Sequence, residues 1–177
     1  SDKALVKDIP KYKSHQLKYH RLEYGQMRLV EGIVPTDALI RAARSFQTTI
    51  TVYLTAVFLC AVAMDMSPRQ KKRPVALMIP VNLRSYFPSS SVRNFFGWID
   101  IGYNFSEQSE KLEDVIAFTS DFFKRELTPE RIAARMNGFM RMEKNPFMRI
   151  LPLPLKLWGM QAGAAFSTSA DTAVFSN

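Results

Sequence analysis

The run VYLTAVFLCAVAM, residues 52–64, constrains this chain more than any other stretch. It carries no charge for more than three helical turns, and its apolar groups cover nearly the whole circumference. Such a helix cannot lie on a surface, so it is expected to be central and buried. The element is expected to start with Thr51 as its cap and to end near Met66. Cys60 lies inside it and reads as a small buried hydrophobe rather than a catalytic thiol. As it is the only cysteine, no internal disulfide can form.

The remaining segments have to supply the layers around that helix. The 177 residues, 47% of them hydrophobic, suit one globular domain and leave little room for two. Residues 1–13 lack a periodic apolar face and read as a lead-in or linker, with the folded unit over 14–177. Partial alternation over 14–34, around a turn at Gly25, predicts one or two strands. Thr36 is placed to cap a helix whose Leu39, Ile40, Ala43 and Phe46 share a face. Strands are expected near 75–79 and 95–103. Positions 112, 115, 116, 119, 122 and 123 then mark an amphipathic helix. Thr128-Pro129 opens the next helix, and Asn145-Pro146 repeats the device. Pro152 and Pro154 predict a split helix over the apolar segment 146–166, and TAVFSN (172–177) reads as a final strand. The order implies α/β, in α+β layers, with a mixed sheet flanked by helices.

Several function classes are excluded by what is missing. Net charge is +8, but the densest cluster, RQKKR (69–73), reads as a solvated linker, and no zinc spacing or aromatic RNA-binding pattern accompanies it. No nucleic-acid partner is therefore expected. There is no phosphate loop, nucleophile elbow or metal-ligand spacing. His15 and His20 fall on opposite faces of a strand and read as strand-surface histidines. No apolar run is long enough to span a bilayer and no signal-like opening is seen, so a cytoplasmic setting is expected.

Two stretches carry a resemblance. QTTITVYLTAVFLCAVA (47–63) is similar to the Thr-x-x-x-x-Leu-x-Ala helix start of the chloramphenicol acetyltransferase-like superfamily, which includes alcohol acetyltransferases and peptide-synthetase condensation domains. IPVNLRSYFPSSSVRNFFGWIDIGYNF (79–105) resembles its Pro-Val-Asp/Asn-x-Arg … Asn-Phe-x-Gly segment through Pro80, Val81, Asn82, Arg84, Asn94, Phe95 and Gly97. The terminal FSN looks like the start of a Ser-Asn-x-Gly strand. With Asn-Pro-x-x-Arg at 145–149, the likeness is to bacterial alcohol-acetyltransferase-like proteins and covers most of residues 25–177.

The resemblance implies the C-terminal lobe of a two-lobed acyltransferase with a tunnel between the lobes. The family's His-His-x-x-x-Asp-Gly motif, whose second histidine is the general base, belongs to the other lobe. No catalytic residue is therefore expected in this chain, which alone should be inactive. Acyl-CoA or another acyl thioester would be a cosubstrate rather than a covalently bound cofactor, with an alcohol or amine as acceptor. Arg84 matches an arginine that braces the motif's aspartate, and it is expected to sit half-buried beside the core, with Asn82 as a second structural support of the active site. Ser176 and Asn177 match a strand bordering the tunnel, where a donor could meet an oxyanion. Asn94, Phe95 and Trp98 are candidates for its lining. Tyr103 and the phenylalanine pairs 95–96 and 122–123 could be lining or plain core. Met136, Met140, Met142, Met148 and Met160 offer an adaptable apolar surface. A half-fold should also expose the face its other half covers, so the expected partner is that lobe or a second copy. The alternatives are a non-catalytic interaction module of the same fold, or a membrane-surface protein using 146–166.

Overall fold

A computed structural model describes residues 13–17, 23, 26–90, 92–143, 152–155, 157–159 and 170–176, with the side chains of 138–143 excepted. The elements are α1 (Thr36–Ser45), α2 (Ile50–Met64), β1 (Val75–Asn82), β2 (Phe96–Tyr103), α3 (Leu112–Glu126), α4 (Pro129–Glu143) and β3 (Ala173–Val174). The fold is α/β, with a three-stranded mixed sheet in the order β2-β1-β3. β1 and β2 are antiparallel, with Leu77 opposite Ile101 and Ile79 opposite Ile99, and β3 runs parallel to β1.

Strand alternation puts Val75, Leu77, Ile79, Ile99, Ile101 and Tyr103 on one sheet face. All six are buried, and they form one cluster with Val52, Ala56 and Leu59 of α2 and with Val115, Ile116 and Phe122 of α3. The amphipathic spacing of α3 thus does what it predicts. Within α3, Thr119 is fully buried, and its hydroxyl donates to the Val115 carbonyl one turn back, so no polar group is stranded.

The long apolar helix is only partly covered. Its Val52, Thr55, Ala56, Leu59, Val62 and Ala63 are buried, but Met64 is 87% exposed. Val57, Cys60, Ala61 and Met64 border an open depression of about 370 Å³. Expected burial on every side is therefore corrected: among the described residues the sheet and α3 cover one side of α2 and leave another open. Cys60 is half-buried, and burial pushes its thiol up, opposite to the shift an attacking thiolate needs.

Helix ends also differ from expectation. Thr49, not Thr51, caps α2, its side chain accepting from the Val52 amide. Thr36 is already helical. Pro35 occupies the cap position, and its carbonyl takes the amides of Ala38 and Leu39. Thr128 caps α4 as expected, accepting from the Arg131 amide.

β1 continues through Pro80 to Asn82 instead of stopping near residue 79. Leu83 donates its amide to Phe95 on the β2 side, whereas Ala76 and Met78 bond Thr172 and Phe175 on the β3 side. Pro80 shares the parity of Ala76 and Met78, so its missing N–H faces away from β2 and costs that ladder nothing. It does help to end the pairing with β3, which is shorter than the 172–177 strand expected.

No strand forms over 26–35. Met27, Leu29, Val30 and Ile33 are 96%, 78%, 87% and 100% exposed, and among the described residues no backbone hydrogen bond joins 27–34 to a neighbour. The alternation is present, but the described residues offer that segment no ladder. Ser14 and His15 are buried, the His15 amide donates to the Pro74 carbonyl, and Thr172 donates its hydroxyl to the His15 carbonyl. His15 is thus a core residue, correcting the surface assignment. His20, Tyr19, the 145–149 motif and most of 146–166 lie outside the described residues. Of that last segment, Leu153, Leu155, Leu157 and Trp158 are exposed. No single described helix is long and apolar enough to cross a membrane.

Glu126 pins α4 to α3. It is 3% exposed, and its two carboxylate oxygens accept from Arg131 at 2.7 Å and Arg135 at 2.8 Å. Removing one partner of such a cluster strands the others' charge away from water. Glu126→Ala should therefore destabilise the chain by about 3–5 kcal/mol, with Glu126→Gln intermediate. Urea unfolding followed by circular dichroism checks both.

Candidate functional site

The loop after β1 is built from short-range bonds. Asn82 ends the strand, and its side chain accepts the amide of Arg84, capping a single 3-10 turn, Leu83–Ser85. That turn sends Leu83 inward, 2% exposed, and Arg84 outward. The Arg84 guanidinium then reaches across the loop and donates to the Arg93 carbonyl at 2.8 Å. The expectation of a half-buried Arg84 is corrected: it is exposed because Leu83 takes the inward position. Its described bond fastens the two ends of the loop.

Gly97 completes this corner. A Cβ there would meet Leu83 Cδ2 at 3.3 Å, so the glycine of the Asn-Phe-x-Gly segment makes room for the inward leucine. Nothing in its backbone angles demands glycine. The close approach does.

Residues far apart in sequence meet at this end of the sheet. Asn82, Arg84, Asn94, Phe95 and Ser176 line one open, polar-rimmed pocket of about 280 Å³. A second cavity of about 220 Å³ adjoins it, sharing Val81, Asn94, Phe95 and Phe96 and adding Leu83, Trp98 and Ile99 from the hairpin. Its far wall is α4, through Ile132, Arg135 and Met136. A third and larger groove, about 780 Å³, meets the other two at Val81. It runs past Thr49 and Thr51, at the start of α2, to Lys124 of α3. Six of the seven candidate residues thus border two touching pockets. Asn177 lies outside the described residues. The aromatic candidates divide: Tyr103 and Phe122 are core, Phe123 is part of the core and also borders the large groove, and Phe95, Phe96 and Trp98 border the apolar cavity.

Residues 20–111, just over half of the chain, match the family model described as phthiocerol/phthiodiolone dimycocerosyl transferase C-terminus. The chain belongs to this family. It is the C-terminal part of an acyltransferase. No curated protein and no solved structure matches the chain. The family match takes in the whole of α1, α2, β1 and β2, and the loop that carries Asn82, Arg84 and Asn94. It stops before α3, so the α4 wall of the cavity lies beyond it.

In this transferase part the sequence reading missed Arg135, Ile132 and Asp100. The spacing of Ile132, Arg135 and Met136 on one helical face was a signal for the first two. For the third, the signal was a carboxylate inside the aromatic strand FGWIDIGY. Asp100 lies on the sheet face opposite the main core. Its Oδ2 is 3.9 Å from Arg135, which is held more closely by Glu126, and its Oδ1 is buried without a hydrogen-bond partner among the described residues. Burial, reinforced by repulsion from Asp171 and only partly opposed by Arg135, pushes the Asp100 carboxyl up to about 6. Burial raises Asp171 as well.

A carboxyl that titrates near 3.8 when unfolded and near 6 when folded holds its proton longer in the folded chain. Its contribution to stability is therefore present at low pH and lost as pH rises through about 6. Asp100→Asn should stabilise the chain at pH 8 by on the order of 1 kcal/mol after allowing for partial exposure, and so raise its melting temperature. That advantage should fade towards pH 4. Thermal melts across this range test it. An advantage that grew on acidification would contradict the assignment.

Proposed function

We propose that this chain forms one wall of a cleft in which an acyl group passes from a thioester to an alcohol or amine. The observation that carries the reading is the convergence of Asn82, Arg84, Asn94, Phe95 and Ser176 on one open pocket beside an apolar cavity. Membership of a transferase C-terminus family supports it. So does the resemblance to the chloramphenicol acetyltransferase-like superfamily in the residues around Asn82 and Gly97. The donor is an acyl-CoA or a carrier-bound thioester, and the positive net charge suits its phosphates.

The chemistry divides between two parts. A histidine of the N-terminal part removes the acceptor's proton, and the acceptor oxygen or nitrogen bonds to the thioester carbonyl carbon. The carbonyl oxygen becomes an oxyanion. The intermediate collapses with cleavage of the C–S bond, and the thiolate leaves to take up a proton. Ser176, on the rim beside Asn82, is the donor this chain can offer to the oxyanion. Asn177 has the same proposed role. Arg84 has a double task. It closes its own loop through Arg93, and its permanent charge faces a carboxylate of the partner lobe.

Bare apolar surface supports a covering partner. Met27, Val30 and Ile33, and the Met64 side of α2, are too exposed for a finished fold. We place the N-terminal part there, with residues 14–177 as its companion lobe in a cytoplasmic enzyme.

The test is thiol release by the complete protein from acetyl-CoA with a panel of alcohols and amines. Acceptor-dependent release is expected, falling at least tenfold in Arg84→Ala through a loosened lobe junction. Loss of a charge partner at about 3–5 kcal/mol would also lower the melting temperature of the complete protein. Release without any acceptor dependence, or a variant with unaltered rate and melting temperature, would remove the proposal's support.

A further inference from the structure

We propose that the 220 Å³ cavity between the β1–β2 hairpin and α4 takes the aliphatic chain of the acyl substrate, and that Gly97 and Met136 limit its length. The assignment rests on the acyl-transfer reading above but makes a claim of its own about where the chain goes and how long it is.

The walls are made for hydrocarbon. Leu83, Phe95, Trp98, Ile99, Ile132 and Met136 supply apolar surface from three separate elements. The one charged lining group, Arg135, already directs its guanidinium to Glu126 at 2.8 Å, with Asp100 at 3.9 Å on its other side. Its charge is answered within the protein, so the wall does not call for an anionic ligand. The inserted group is therefore uncharged. The polar end of the molecule has a way out, because Asn94 and Phe95 border both this cavity and the open pocket holding Asn82 and Ser176.

Volume sets the scale. An engineered apolar cavity of about 150 Å³ accommodates benzene, and a group the size of water occupies about 30 Å³. A methylene is of similar size, so 220 Å³ holds a chain of roughly seven such groups. Two positions control that number. Any side chain at 97 must displace Leu83, whose Cδ2 lies 3.3 Å from where a Cβ would stand, so a larger residue there takes up cavity space. Met136 is an unbranched wall on the helix side, and trimming it lengthens the space without touching the hairpin.

The chain has two tryptophans, Trp98 in the cavity wall and Trp158. In a Trp158→Phe background, Trp98 emission reports occupancy directly. Straight-chain acyl thioesters of N-acetylcysteamine, from two to fourteen carbons, are titrated into this chain. Affinity should rise about fourfold with each added methylene and level off near eight carbons, roughly the cavity's capacity plus the carbonyl. Met136→Ala should move the plateau to longer chains, by about two carbons on the same volume scale. Gly97→Val should shorten it, and if that variant folds poorly by circular dichroism, Met136→Ala and Ile132→Ala carry the test. A plateau that stays at one length in all folded variants, or emission indifferent to chain length, overturns the proposal. The two readings fail separately. A plateau that shifts as expected, in a protein showing no acyl transfer, keeps the cavity and discards the enzymatic reading. Transfer with a length preference untouched by these variants does the reverse.

Discussion

One face of α2 is removed from water by β1, β2 and α3 together, and the other parts of the molecule take their positions from that contact. Leu59 and Ala56 have no exposed surface, and they meet a sheet face on which Leu77 and Ile101 have none either. Truncating a side chain like Leu59 to alanine in such a place costs about 2–5 kcal/mol. Because α2 is fixed against β1, the start of α2 and the end of β1 come to border the same large groove. Because α3 closes the layer, Glu126 at its end can hold Arg131 and Arg135 and so set α4 across the hairpin. The apolar cavity exists only because that last contact is made.

Function follows from an asymmetry in the same packing. α2 has apolar groups on more sides than the described residues cover, and residues 27–34 have strand-like alternation with no ladder among those residues to join. In the proposed enzyme both unfinished surfaces are completed by the N-terminal part, which in that proposal also brings the general-base histidine. What the C-terminal part contributes is shape and fixed polarity. A loop is tied down at Asn82 and Arg93, Leu83 is seated against Gly97, and Ser176 stands across from them on the rim. These groups need not titrate to be useful, since donors held in position stabilise developing charge without reorganising.

Much of this is legible in the residues. The spacing of Val115, Ile116, Thr119, Phe122 and Phe123 dictates α3 and its buried face, and Thr128-Pro129 dictates where α4 begins. The cluster Asn82, Arg84, Asn94 and Gly97 could be singled out because its residue types have local work: an amide that caps a turn, a guanidinium that spans a loop, a glycine where a leucine crowds. Burial of Arg84 was misjudged because a single 3-10 turn decides whether Leu83 or Arg84 points inward, and strand parity alone does not reveal it. The first strand was expected only near 75–79, yet it runs on through Pro80, whose missing donor faces the side where β3 is already ending. Arg135 and Asp100 were overlooked for a different reason. Their meaning depends on α4 lying beside β2, a contact between segments thirty-odd positions apart that no local pattern encodes.

The central claim is that the bare apolar segment 27–34 and the loop beyond β1 face a second lobe. Hydrogen–deuterium exchange of the backbone amides, compared between this chain and the complete acyltransferase, measures it most directly. In this chain the amides of 27–34 lack described hydrogen bonds and should exchange at close to unprotected rates. In the complete protein they should slow by orders of magnitude, together with those around Arg84. Equal exchange in the two, with 27–34 still unprotected when the N-terminal part is present, would show that nothing covers this surface and would contradict the account.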